Sequence, residues 1–348
     1  MSTAINDLFG SQQSTWLVTG AAGFIGSNLC IALVKANQHV VGLDNLATGN
    51  QRNLDDIKAT CALTQLGTFR FVAADICDLS ACEKHTQGVD YVLHQAALGS
   101  VPRSIKDPIA SHSSNVSGFL NMLRSASTQN VKRFVYASSS SVYGDSPDLP
   151  KREKKTGSVL SPYAATKSAN ELYADVFQRT YGIQCVGLRY FNVFGPRQDP
   201  DGEYAAVMPR WIAALLAQRV ITINGDGSTS RDFCYIENVV QANIRAALAP
   251  LENPSAHVFN IAYGQQTNLN DLLDQLTLAV ARSSGVSPKQ VNRIVEFKDF
   301  RAGDVKHSLA SIELAQTLLG YSPTHSLSEG LSATTDWYFK NLDRLQSH

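Results

Sequence analysis

Tyr163 and Lys167 stand four positions apart in a segment that opens with Ser161-Pro162. On a helix this spacing puts phenol and ammonium on one face, with Ser161 suited to the N-cap and Pro162 to the first turn. Two such groups about 5 Å apart, at an effective dielectric of about 20, interact by roughly 3 kcal/mol, which favours the phenolate by about two pKa units. The predicted chemistry is proton transfer by a tyrosine near neutral pH. A second constellation is Gly20-Ala-Ala-Gly23-Phe24-Ile25-Gly26, between the apolar run Trp16–Thr19 and a helix-like stretch over 27–36. Glycines so spaced allow a tight turn and let backbone N–H groups and a helix N-terminus approach a pyrophosphate. Asp44 closes the next apolar run, near the offset of about 20 residues at which a carboxylate accepts from an adenosine ribose. A carboxylate there repels a 2′-phosphate, so NAD is predicted over NADP.

The elements that must hold these residues are legible as short β-branched runs between amphipathic stretches: Trp16–Thr19, Val40–Leu43, Phe69–Val72, Val89–Leu93, Arg133–Ala137 and Cys185–Tyr190. Strand then helix, repeatedly, predicts an α/β fold with a doubly wound, Rossmann-type parallel sheet. Asp75-Ile76, His94-Gln95 and Ser138–Ser141 then fall near its carboxyl edge, where ligands of such sheets sit. From Pro196 onward loops and turns predominate, predicting a smaller substrate lobe over 196–233 and about 265–348, interleaved with a dinucleotide domain over 16–195 and about 234–264. Residues 1–15 read as a surface extension with at most a short helix around Ile5–Phe9.

Composition narrows the function classes. The 348 residues carry 30 Lys+Arg against 30 Asp+Glu, so no basic excess argues for nucleic acid or an anionic membrane surface. No apolar stretch approaches the roughly 20 residues of a membrane span. The polar segment Met1–Thr15 lacks a basic n-region and an apolar h-region, so no secretory signal is expected. Cys30, Cys61, Cys77, Cys82, Cys185 and Cys234 show no metal-ligand spacing, which predicts neither a metal nor a disulfide framework and suits a reducing cytoplasm.

The joint pattern Gly20-x-x-Gly-x-x-Gly26, Ser-Ser-Ser-Val-Tyr-Gly144, Tyr163-x-x-x-Lys167, Tyr190-Phe-Asn192, Arg231-Asp232 and Arg301-x-Gly-Asp304 resembles the extended short-chain dehydrogenase/reductase family, and within it the nucleotide-sugar 4-epimerases. The resemblance runs from Trp16 to about Tyr338. It implies Ser139 as the catalytic serine, Tyr163 as acid/base and Lys167 as the residue that holds the nicotinamide ribose and depresses the tyrosine pKa. It places Phe24, Ile25, Asp44, Asn45, Thr48, Gly49, Asp75, Ile76, Gln95, Ser114 and Val193 at cofactor contacts, beside Gly20, Gly23 and Gly26. Asn192, Val207, Trp211, Arg231, Arg301 and Asp304 fall where the family holds the nucleotide diphosphate, for which arginines suit as bidentate donors.

The reaction so implied is removal of hydride and proton at sugar carbon 4, rotation of the 4-keto sugar, and return of the hydride to its other face. Dehydratases and decarboxylases of the family carry an acidic residue just before Val-Tyr-Gly; this chain has Ser139, Ser140 and Ser141, which favours simple epimerisation. Compared with UDP-galactose 4-epimerases, Gly99, followed by Ser100, replaces a lysine, Ser308 a tyrosine facing the sugar, and Phe233 a tyrosine. The first two changes empty the sugar pocket and resemble the subgroup that prefers N-acetylated UDP-hexoses, of the kind used in bacterial surface polysaccharides. A UDP-glucuronate 4-epimerase or decarboxylase is the alternative, and a catalytically dead Rossmann binding protein the alternative of another class. A homodimer through the helices near 108–129 and 163–181 is implied by the same resemblance.

Overall fold

The computed structural model describes residues 8–10, 12–200, 206–251, 257–299 and 306–342. Arg301, Asp304 and most of the short helix expected around residues 5–9 lie outside the described residues; Leu8–Gly10 form a turn. The centre is a seven-stranded sheet. Its first six strands in chain order are β1 (Thr15–Thr19), β2 (His39–Asp44), β3 (Thr68–Ala73), β4 (Tyr91–His94), β5 (Arg133–Ser139) and β6 (Cys185–Tyr190). The last, β11 (His257–Ile261), arrives late in the chain and pairs with β6, giving the order β11, β6, β5, β4, β1, β2, β3. Every pairing is parallel. β1 and β4 are neighbours although three strands apart in sequence, so the crevice where the chain changes direction opens at their carboxyl ends.

Alternation along the strands sorts the core to the two faces. Trp16 and Val18 pack with α1 (Phe24–Lys35), while Leu17 joins Val92, Phe134 and Tyr136 on the other face. Helices cover both, as the sequence pattern predicts. Gln51–Thr64 (α2) packs beside α1, and Leu79–Thr86 (α3) packs against the segment that follows β4. That segment departs from expectation. Instead of one helix from Pro108, it runs as two short helices, Val101–Lys106 (α4) and Pro108–His112 (α5), then a π-helical stretch at Ser113–Gly118, then α6 (Phe119–Thr128). α7 (Pro162–Tyr181) begins as its sequence demands: the Ser161 hydroxyl accepts from the Ala164 N–H at 3.2 Å, Pro162 occupies the first turn, and Gly182 ends the helix at φ +76°.

Beyond β6 the chain is stitched by small pairings. β7 (Val193–Phe194) is completed by β10 (Cys234–Tyr235), β8 (Ile221–Asn224) by β13 (Val295–Lys298), and β9 (Ser230–Arg231) by β12 (Thr267–Asn268). The helices among them are α8 (Val207–Leu216), α9 (Ile236–Leu248), α10 (Leu269–Ser284), α11 (Glu313–Leu319) and α12 (Leu327–Lys340).

Candidate active site

The turn after β1 is shaped by close approach. A side chain at Gly20, itself at φ +70°, would place its Cβ 2.8 Å from the Ala96 nitrogen, and one at Gly26 would come within 2.0 Å of the Gly20 carbonyl oxygen. Glycine is therefore required at both positions. α1 starts at Phe24 with Gly23 as N-cap and with no side chain capping it, so its first N–H groups point into the crevice. Asp44 stands opposite, only 8% exposed: one carboxylate oxygen accepts from the Leu46 N–H at 2.7 Å and the other from the Ala22 N–H at 3.0 Å. Burial raises its pKa and those two N–H bonds oppose the rise. A side chain at Gly49 would press on Ala22 and Asp44, so this glycine keeps the loop close to the carboxylate. Asn45 donates to Asp75 at 2.9 Å; Asp75, which also accepts from the Cys77 N–H, is held below the usual carboxylate range chiefly by that bond.

These residues surround a cavity of about 630 Å³. Its walls include Gly20, Gly23, Phe24, Ile25, Gly26, Asp44, Asn45, Thr48, Asp75, Ile76, Gln95, Gly99 and Ser114. Thus twelve of the expected cofactor residues and one expected sugar-pocket residue share a single cleft. Arg52, Asp56, Arg197, Trp337 and Asn341 also line it and were not anticipated. Arg197 reaches from the loop after β7 to Asp56 on α2 at 3.0 Å and to Asn28 on α1 at 3.1 Å. A contact between residues 141 positions apart leaves no local trace in sequence.

The expected catalytic residues lie beyond those walls. Lys167, 3% exposed, donates to the Ala137 carbonyl at the end of β5 at 2.8 Å, and its ammonium is 5.9 Å from the centre of the Tyr163 ring. Burial pulls the Lys167 pKa down to about 8, against the opposing charge of Glu171. The expected depression of the Tyr163 pKa is not what the protein surroundings produce. Burial raises it, and a hydrogen bond with Ser139 supplies the lowering influence. Treating phenol and ammonium as two isolated charges leaves out desolvation, which here outweighs their attraction. Ser139 also accepts from the Ser141 N–H at 3.1 Å and donates to the Ser141 hydroxyl at 3.0 Å, which fixes it at the mouth of the turn that includes Ser140. Glu171, one helical turn past Lys167, accepts from Ser138 at 2.5 Å; spacing alone could have flagged it, since it repeats the interval between Tyr163 and Lys167.

The remaining expected contacts are spread over the small pairings. Asn192, at φ +33°, donates to the Asp232 carbonyl at 3.2 Å, and Val193 pairs with Cys234. Arg231 donates to the Ser230 and Lys306 carbonyls at 2.9 and 3.2 Å. The Ser308 N–H donates to Ser230 at 3.1 Å, which sets Ser308 beside Arg231. Asp232 is wholly buried and accepts from the Tyr263, Gly264 and Ala310 N–H groups, tying three segments together; burial pushes its pKa up to about 6. Val207 opens α8, whereas Trp211 on the same helix is 4% exposed, with its indole N–H donated to the Thr222 carbonyl. Ser100 caps α4 by accepting from the Arg103 N–H.

The sequence pattern of the NAD dependent epimerase/dehydratase family matches residues 16–262. The chain belongs to this family. Its cofactor is NAD, and the glycine cradle, the uncapped helix start and Asp44 fit that group. Among other members, the UDP-glucose 4-epimerase of Mycolicibacterium smegmatis is 36% identical over 327 residues, 93% of this chain and 98% of that protein. The solved UDP-N-acetylglucosamine 4-epimerase of Methanobrevibacter ruminantium, in complex with UDP-N-acetylmuramic acid, superposes with a TM-score of 0.84 at 34% identity, covering 95% of this chain and 99% of that one. The UDP-glucuronic acid 4-epimerase of Bacillus cereus, solved with UDP-glucuronic acid and NAD, gives a TM-score of 0.80 at 34% identity, with 94% and 99% covered. Among the described residues of this chain, no helix is long and apolar enough to cross a membrane.

Proposed function

We propose that this family member is a UDP-sugar 4-epimerase whose preferred pair is UDP-GlcNAc and UDP-GalNAc. NAD supplies a reversible hydride acceptor for sugar carbon 4. The residues of the chain do the rest: Tyr163 takes the proton from the 4-hydroxyl and returns it, Ser139 holds that oxygen by hydrogen bond, and Lys167 binds the nicotinamide ribose while its positive charge opposes the upward pull of burial on the phenol. Arg231, with Arg301, holds the diphosphate, so the 4-keto sugar turns about its phosphate linkage while the nucleotide stays in place. Residues 196–233 and 265–348 form the lobe that binds the sugar nucleotide. α7 exposes Leu172, Tyr173 and Val176, and pairing of this face with a second copy makes the enzyme a homodimer, which sedimentation at micromolar concentration tests.

The observation that supports the N-acetylated substrate is the space at Gly99, where an added Cβ meets nothing within 4 Å at the edge of the cavity. Ser308 adds a short side chain where UDP-galactose 4-epimerases hold a ring. Incubation with UDP-GlcNAc, UDP-Glc and UDP-glucuronate separately, with the 4-epimers resolved by NMR, tests the reading; UDP-glucuronate as the preferred substrate refutes it. Ser308→Tyr is expected to abolish turnover of UDP-GlcNAc while sparing UDP-Glc, because a filled pocket rejects the larger group by clash. Parallel losses of kcat/KM for both would remove Ser308 as the gatekeeper.

A further inference from the structure

Behind the catalytic residues lies a largely buried ion pair that is not part of the cavity wall. Arg189 on β6, with its side chain 6% exposed, meets Glu171 on α7, 14% exposed, through two hydrogen bonds of 2.9 and 2.7 Å. A third donor of Arg189 goes to the Glu153 carbonyl at 3.0 Å, and its guanidinium lies 4.9 Å from the centre of the Tyr143 ring. The Tyr143 hydroxyl donates to Asn260 at 2.6 Å, and the Asn260 N–H donates to the Glu153 carboxylate at 2.9 Å. The network closes through Glu171, which accepts from the Ser138 hydroxyl. Ser138 immediately precedes Ser139, and Ala137, which precedes Ser138, gives its carbonyl to Lys167.

A buried ion pair is weak evidence of stability, because removing two charges from water costs about as much as their attraction returns. Its placement here has another use. Tyr163, Lys167 and Glu171 follow one another at single-turn intervals on α7, and the carboxylate of the third holds the strand end that carries Ser139. We propose that Glu171 is a positioning residue for the epimerase reaction: clamped by Arg189, it locks the end of β5 to α7 so that Ser139, Tyr163 and Lys167 share one fixed geometry, and it gives the Lys167 ammonium a negative counter-charge. The inference rests on the assignment of those three residues as the catalytic set.

The charge balance around Lys167 supports the second part. On its own helix it has Tyr163 and Glu171. From β4 it has His94, whose pKa burial pulls down to about 3 so that it is neutral. From β5 comes Tyr136, which burial keeps protonated, and from β6 Arg189, already bound to Glu171. Tyr143, in the turn after β5, is likewise held protonated by burial. Arg103, Lys106, His112 and Arg124, on the other elements packed against α7, are half-buried or exposed at the surface. Glu171 is thus the carboxylate opposing the burial of that ammonium.

Glu171→Gln, which keeps size and an acceptor while removing the charge, is the decisive variant. With the UDP-sugar the enzyme turns over fastest, kcat is expected to fall about tenfold or more, with KM and bound NAD little changed. The alkaline limb of kcat against pH should move down by about one unit, since a lost counter-charge lowers the Lys167 pKa. A lower melting temperature with unchanged kcat per folded molecule and an unmoved limb would overturn the proposal and leave Glu171 a structural residue. Ser138→Ala covers the case in which Glu171→Gln does not fold, because it leaves the ion pair intact: a several-fold drop in kcat with NAD content unchanged supports the lock, and wild-type kcat overturns it. Tyr163→Phe separates this from the underlying assignment, because an active Tyr163→Phe enzyme removes the catalytic set itself.

Discussion

The dinucleotide crevice and the side proposed to face the sugar are built in opposite ways. The crevice draws the core of its lining from the carboxyl ends of β1 to β4, where key residues are fixed by neighbours close by: Gly26 by Gly20, Asp44 by Leu46, Asp75 by Cys77. The proposed sugar-facing side is assembled from segments far apart in the chain, joined by pairings two residues long and by one buried carboxylate, Asp232, that collects N–H groups from Tyr263, Gly264 and Ala310. A strand end tolerates no change of register, whereas a loop held by a few hydrogen bonds changes its lining at small cost. On the proposed assignment, one part of the site is kept constant for the cofactor while the other is free to vary with the substrate.

The largest expected effect lies where the two sides meet. Tyr163→Phe should retain NAD and lose roughly 10²–10⁴-fold in kcat, the contribution of a positioned acid/base; near-wild-type turnover would show that the phenol is not the proton carrier. Next comes the turn after β1. Gly26→Ala puts a methyl 2.0 Å from the Gly20 oxygen and should cost about 1–3 kcal/mol of stability and release the bound NAD on desalting, whereas Gly99→Ala, with open space around it, should change stability by less than about 0.5 kcal/mol. Equal melting temperatures for the two variants would erase the contrast between a constrained and a tolerant side. Smaller again is Asp44→Asn, expected to weaken NAD by roughly tenfold, or about 1.4 kcal/mol, and to narrow its advantage over NADP. Titration of cofactor-stripped protein with both dinucleotides measures this directly, and an unchanged ratio would take the selectivity away from Asp44.

The same contrast governs what could be read from the residues alone. The strands from Trp16 to Tyr190 announce themselves because buried parallel strands are nearly continuous apolar runs, and the glycine turn does so because its geometry depends on residues a few positions apart. Arg197 gave no signal, because its partners Asp56 and Asn28 become neighbours only after the sheet is wound. Trp211, which the family resemblance places at the nucleotide, packs into the core from α8 and donates its N–H to Thr222, a contact that no sequence pattern announces. The Tyr163–Lys167 interval correctly predicted a shared helix face and not the direction of the phenol pKa, which depends on how deeply the pair is buried.

The π-helical turn at Ser113–Gly118 shows how one segment can face two ways. A regular α-helix advances 100° per residue, so a wider turn that accommodates one additional residue rotates everything after it by about that angle relative to everything before. Ala110 ahead of the turn and Ser113 and Ser114 at its start look into the cavity; after it, Phe119, Met122, Leu123 and Ala126 are wholly buried against the sheet. Gly118 closes the turn where any side chain would strike Ile76. The extra residue therefore works as a phase shifter: removing one residue from this turn would bring the helix back into register as a regular coil and swing its apolar stripe by about a quarter turn, so that wall and core could no longer be served by the same length of chain.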